Sequence, residues 1–298
     1  MNTRYPDWQQ HKAYWPHAAF SQFVEDGGYS WHVQDMSGPA DTAPICLLIH
    51  GTGAATHSWR DVMPLLAQRY RVIAVDLPGH GFTRPNMSRR VSLPGMAASL
   101  QALLDHLSIT PDIITAHSAG SAIALEMMIT AQRDIPLIGF TPALKPFPGI
   151  AAELFPQLAK MLFTNPFMSI IFSRMARGVG QTEKFLAKAT GSTIDKVGLD
   201  QYAILFGHSG HCDGALRMMA NWRLDHLQKK LPQLSAPIML VHAANDTAIP
   251  PQSVIDAAEP IKNCTLKSLE NLGHLAHEEA PQLAVDIITE FADKHIKA

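Results

Sequence analysis

Apolar residues gather along this chain in short uninterrupted runs, separated by longer stretches in which they recur every three or four positions. "ICLLIH" and "YRVIAVD" are runs of the first kind. A segment apolar at nearly every position suits a central parallel strand buried on both faces. Upstream, "SQFVEDGGYSWHVQD" turns about Gly27 and Gly28, which predicts two antiparallel strands. Pro94 opens a helical stretch in which Met96, Leu100, Leu103, Leu104 and Leu107 share one face. "DIIT" reads as a strand, Ala119 to Arg133 as a helix, and "IPLIGFT" as a further strand. Strand and helix alternate, so the pattern predicts the α/β class with a mostly parallel, doubly wound sheet.

The rhythm changes between Thr141 and Leu231. "AAELFPQLAKMLFTNPFMSIIFSRMARG" and "ALRMMANWRLDHLQKKL" are helical in period, broken by Pro156, Pro166 and Gly178, and carry no strand signal. "PIMLVHAAND" and "CTLKSLEN" then resume the strand rhythm. A chain that leaves a sheet and returns predicts one domain over 1–298, with a core of 1–141 and 232–298 and a helical insertion at about 142–231. The insertion holds seven of the twelve Phe and five of the thirteen Met. Its apolar faces either pack on the core or form a lid walling a hydrophobic pocket over the strand C-termini, where open α/β sheets bind ligands. No repeat or low-complexity tract interrupts the pattern.

Composition narrows the function classes. Charged residues make up only 17% and the formal net charge is −2, a poor match to nucleic acid or a highly charged substrate. No apolar stretch reaches the roughly 18 residues of a membrane span, and the first twenty residues lack a signal-peptide core. Cys46, Cys212 and Cys264 are odd in number and far apart, which argues against a disulfide framework and for a reducing cytoplasm. Cys46, inside "APICLLIHG", reads as a buried strand residue.

The chemistry centres on "DIITAHSAGSAIALEM", where Ser118 stands at a strand-to-helix join. A sharp turn there lifts a hydroxyl clear of the sheet, and needs small residues two positions away on each side, here Ala116 and Gly120. The pattern is A-x-S-x-G where G-x-S-x-G is usual. Ser118 reads equally as a nucleophile and as an N-cap. Asp246 follows "IMLVHAAN", and His274 lies in a glycine-flanked loop before the final helix. A turn aspartate and a loop histidine are the plain alternatives. All three at strand ends, in the order Ser118, Asp246, His274, match a nucleophile, a tautomer-fixing acid and a base. "HGTGAATHSW" supplies a glycine-rich loop whose Thr52 N–H, rather than that of Gly53, would join the N–H of Ala119 as an oxyanion hole. His50 and the turn "DLPGHG" read as structural.

Assembled in order, "HGTG", "DLPGHG", "AHSAG", "AAND" and "GHLAHEE" resemble the α/β-hydrolase superfamily over nearly the whole chain. With "KPFPG" and "MMANW" added, the chain is similar to the BchO-type magnesium-chelatase accessory hydrolases of bacteriochlorophyll biosynthesis. That resemblance implies a place beside magnesium insertion, with magnesium chelatase or a porphyrin as partner; it leaves the reaction open.

The expectation is therefore a serine hydrolase acting through an acyl-enzyme on an apolar ester, thioester or related carbonyl compound. Carbon–carbon bond hydrolysis and peracid formation use similar triads, whereas a dehalogenase would need a carboxylate at position 118. Activity should fall at acidic pH as His274 takes up a proton. The rival expectation is a non-catalytic accessory protein that binds a porphyrin or magnesium chelatase. "HSGHCD" and "HLAHEE" each space two histidines three apart, but neither matches a zinc motif and magnesium prefers oxygen ligands, so no metal or cofactor is expected. His277 and Glu278 read as support for the His274 loop and as the start of the final helix.

Overall fold

The computed structural model describes residues 4–85, 91–146, 165–176 and 180–296. Its centre is a nine-stranded sheet: β1 Ser21–Asp26, β2 Tyr29–Met36, β3 Ile45–Ile49, β4 Arg71–Val75, β5 Arg84–Pro85, β6 Ile113–His117, β7 Leu137–Phe140, β8 Ile238–Ala243 and β9 Cys264–Leu269. The order is β1-β2-β4-β3-β6-β7-β8-β9, with β5 paired to β2 off this path. β1, β2 and β5 pair antiparallel, and from β4 to β9 every pairing is parallel. The mostly parallel α/β sheet expected from the hydrophobic runs is thus the observed one.

Those runs are apolar throughout because the sheet is covered on both sides. Along β3, Leu47 and Ile49 enter one core cluster while Cys46 and Leu48 enter the other. Helices α1 (Leu93–His106) and α2 (Ala119–Ala131) pack into the first, and a C-terminal helix, Pro281–His295, into the second. Cys46 is fully buried, and burial pushes its thiol up to about 12. Strand β6 runs on to His117, two residues past the predicted "DIIT".

Between β7 and β8 the described chain is helical: α3 Pro166–Ala176, α4 Gln181–Thr190, α5 Lys196–Phe206, α6 Ser209–Ala220 and α7 Asp225–Lys230. Most of "KPFPG" and all of "AAELFPQLAKMLFT" lie outside the described residues. Helix α6 is held tightly. Asp213 receives Arg4 at 2.7 Å and Arg217 at 2.9 Å. Gly214 sits so close to Gly79 that a Cβ would collide with the Gly79 carbonyl.

The strand order places the site. After β3 the chain steps to β4 on one side, then returns to β6 on the other. The loops leaving β3 and β6 therefore diverge, and such a switch point opens a crevice at the strand C-termini.

Candidate active site

Ser118 occupies the turn from β6 to α2 with φ 50° and ψ −119°, a conformation L-residues rarely adopt. Its side chain makes no N-cap bond to α2. The turn is stitched to the end of β7: Ser118 N–H donates to the Phe140 carbonyl at 2.9 Å, and the Ser118 carbonyl accepts from Ala143 N–H at 3.1 Å. Gly120 is required, because a Cβ there would lie 2.6 Å from the carbonyl oxygens of both Ile49 and His50. Gly51 answers the same crowding from the facing loop: its Cβ would lie 2.9 Å from Ser118 Cβ. Ala116 is fully buried.

Asp246, beyond β8, makes turn contacts with one carboxylate oxygen and meets His274 with the other. Oδ1 accepts the N–H groups of Ala248 and Ile249 at 2.8 Å each, which is turn chemistry. Oδ2 lies 2.7 Å from His274 Nδ1. An imidazole that donates from Nδ1 to a carboxylate keeps Nε2 as its base. The His274 backbone is fixed from three sides. Its carbonyl accepts from His117 Nε2 and Thr141 Oγ1, both at 2.9 Å, and its N–H donates to Thr190 of α4 at 2.8 Å.

Ser118, Ala119, Thr52 and His274 all border one cavity of about 510 Å³. Asp246 stands behind His274, away from its lining. Among the described residues no hydrogen bond joins Ser118 Oγ to His274. The remaining wall is mostly apolar, with Phe185 and Leu186 of α4, Phe206 of α5, Leu216 and Met219 of α6, and Trp222, and it includes the polar side chains of His117, Thr190, Tyr202 and His211. No Lys, Arg, Asp or Glu among the described residues borders it.

The loop after β3 is braced by two histidines, each fixed in one tautomer by a backbone donor. His50 Nε2 accepts Leu77 N–H at 2.9 Å, so its Nδ1–H donates to the Gly51 carbonyl at 2.7 Å. His211 Nδ1 accepts Gly81 N–H at 3.0 Å, so its Nε2–H donates to the Gly53 carbonyl at 3.1 Å. The "DLPGHG" turn is therefore the anchor of the Gly51–Gly53 loop. Asp76 in that turn completes the brace, accepting Thr56 N–H at 2.7 Å and Phe82 N–H at 2.8 Å. Burial holds both imidazoles below the ordinary histidine range, His211 at about 4.

Behind the site, Arg60 pairs with Glu278 at 2.6 Å, and Tyr202 of α5 donates to the same carboxylate at 2.8 Å. Burial pushes Glu278 up to about 7 against the pull of Arg60. Glu279 adds to the support of the His274 loop, accepting from Gly273 N–H at 2.7 Å and Ser192 Oγ at 2.9 Å. The expected start of the final helix at His277 and Glu278 is corrected: they belong to a separate turn of helix, Ala276–Glu279, and the final helix starts at Pro281, while His277 packs against His117, whose Nε2 holds the His274 carbonyl. In "HSGHCD", His208 and His211 both bond to backbone carbonyls. Sequence reasoning missed the two-histidine brace, because Gly53 and His211 are 158 positions apart and no local pattern links them.

Comparison with known proteins agrees with this architecture. The chain is 39% identical over 272 residues to the magnesium-chelatase 30 kDa subunit of Rhodobacter capsulatus, covering 90% of this chain and 93% of that one. It is 24% identical to the uncharacterized hydrolase YugF of Bacillus subtilis, covering 91% and 96%. A putative lipase from Acinetobacter baumannii superposes with a TM-score of 0.76 at 21% identity, covering 96% of this chain and 94% of the lipase. A Bacillus subtilis carboxylesterase gives 0.71 at 18% identity, covering 97% and 96%. The resemblance read from the motifs is thereby upheld at both of its levels. Residues 46–287 match the model of the alpha/beta hydrolase family, and the chain belongs to that family.

Proposed function

We propose that this protein is a serine hydrolase in which Ser118 attacks an ester, thioester or related carbonyl group of an apolar substrate. The observation that carries the reading is the strained Ser118 turn opening onto the same cavity as an Asp246-paired His274. A merely structural serine gains nothing from φ 50°. On attack, the Ser118 proton passes to His274 Nε2, and Asp246 stabilises the imidazolium that forms. The carbonyl oxygen, now an anion, lies against the N–H groups of Thr52 and Ala119. Collapse of the tetrahedral adduct expels the leaving group with the proton from His274. Water then repeats the sequence on the acyl-enzyme and frees the acid.

The inserted helices, about 142–231 within a single 1–298 domain, act in this reading as a lid whose Phe and Met side chains desolvate the substrate. A cavity bordered by no described cationic or anionic side chain favours a neutral acyl group. No helix among the described residues is long and apolar enough to cross a membrane, which fits the reading of a cytoplasmic enzyme. The relative named as a magnesium-chelatase subunit supports a role beside magnesium insertion, with the chelatase or a porphyrin as partner.

The test is labelling with a fluorophosphonate probe, read by intact mass, for wild type and Ser118→Ala. One adduct on wild type and none on the variant is the expected result. Equal labelling of both, or no labelling of the folded wild type by a probe small enough for the cavity, removes the mechanism and leaves the non-catalytic accessory role.

A further inference from the structure

We infer that His211 is a positioning residue for the oxyanion loop, holding the Gly53 carbonyl and tying the loop's geometry to the seat of helix α6. This rests on the serine-hydrolase reading above and adds to it a residue on the inserted helices.

The loop has reason to need such a hold. Gly53 adopts φ 78°, and a glycine-rich segment loses much conformational entropy when it is fixed. N–H groups stabilise a developing oxyanion only if they already point at it. The 51–52 peptide, whose N–H is that of Thr52, is pinned at its carbonyl end by His50. The 53–54 peptide is pinned at its carbonyl by His211. At its other end that peptide's N–H, belonging to Ala54, donates to the Gly51 carbonyl at 3.2 Å, so the hold of His211 reaches the 51–52 peptide that carries the Thr52 N–H. The imidazole of His211 is fully buried, accepts from Gly81 at Nδ1, and has only its Nε2–H to give. Burial keeps it neutral down to about pH 4, so this donor arrangement persists at ordinary pH.

His50 and His211 differ in what carries them. His50 belongs to the loop itself, whereas His211 arrives on α6, which also walls the substrate cavity through Leu216 and Met219. A second contact runs the same way: Thr52 Oγ1 donates to Met218 Sδ of α6 at 3.5 Å. The helix that touches substrate therefore also touches the hole. The contacts of Asp213 and of Gly214 seat α6, and α6 so seated holds the Gly53 peptide.

The experiment measures the second-order rate of fluorophosphonate labelling for wild type, His211→Phe, His211→Gln and His211→Asn, with kcat and KM on a 4-nitrophenyl ester that wild type hydrolyses. Phe keeps the ring and removes both hydrogen bonds. Gln places an amide N–H near the Nε2 position, and Asn is too short to reach Gly53. Labelling and kcat should fall by about ten- to a hundredfold in His211→Phe and His211→Asn, with KM nearly unchanged. His211→Gln should return to within about threefold of wild type. If His211→Phe does not fold, the contrast between Gln and Asn decides alone. Equal rates in all four proteins, or a raised KM with kcat unchanged, would leave His211 with no role beyond lining the cavity and overturn the inference while leaving the hydrolase reading intact. A folded wild type that takes no label ends both.

Discussion

Replacing Asp246 by Asn separates the two jobs of this carboxylate. Oδ1 receives two backbone N–H groups at 2.8 Å, and Oδ2 receives His274 at 2.7 Å. An amide has one accepting end. Turned with its oxygen toward Ala248 and Ile249, it keeps two hydrogen bonds worth about 1 kcal/mol each. Turned the other way, it sets an NH₂ against two buried donors and strands them, at about 1–3 kcal/mol apiece. The backbone therefore wins, and the amide nitrogen faces His274. The imidazole adapts by accepting at Nδ1, which moves its proton to Nε2 and abolishes the base. The fold should survive with a loss of about 1–2 kcal/mol, the charge-assisted part of three hydrogen bonds. Turnover should fall about 10⁴-fold, as expected for a triad locked in the wrong tautomer. Thermal unfolding and ester hydrolysis measured on the same preparation check both halves. A variant that retains a tenth of wild-type activity, or that loses activity only because it unfolds, would refute the assignment of Asp246.

Two further outcomes follow from the same geometry. Ser118→Gly should abolish labelling yet raise stability by about 1 kcal/mol, because relief of roughly 1–3 kcal/mol of backbone strain exceeds the added entropy of glycine; Ser118→Ala keeps the Cβ and should not gain it, as denaturant unfolding of the pair will show. His211 is held at about 4 by burial, so its folded value lies below its unfolded value of about 6.5. Stability from this group is complete above pH 6.5 and is lost as pH falls toward 4, by about 3 kcal/mol; unfolding free energies across that window should drop less steeply in His211→Phe, and parallel slopes would contradict the shift.

Much of this molecule was legible from residue order because the relevant signals are local. β3, β4, β6 and β7 are buried along almost every position, and apart from Thr115 and His117 of β6 their sequences are apolar at almost every position. Ser118, Asp246 and His274 each stand at the end of a strand or in a glycine-marked loop, and the structure brings His274 to both Asp246 and the Ser118 cavity. What was not legible depends on partners distant in the chain. Arg60 and Glu278, 218 positions apart, give no sign of their pairing, and "HLAHEE" suggested a helix start where a separate turn of helix closes on Ser192. "HSGHCD" resembles a ligand pair in spacing, but its second histidine is aimed at a peptide carbonyl that only the folded chain supplies. The strand β6 and α2 boundaries moved by two residues because hydrogen bonding to neighbours, not side-chain pattern, sets where an element stops.

The meeting of Gly214 with Gly79 also limits how helix α6 can move. Where a helix lies backbone against backbone on a loop, no side chain can swing aside, so any side chain added at Gly214 would force the helix off the loop. Phe185 and Met219 border the cavity and are also 43% and 39% exposed to solvent. A molecule moving between solvent and the cavity along these two side chains would meet them first, and their rotamers would change the width of that path.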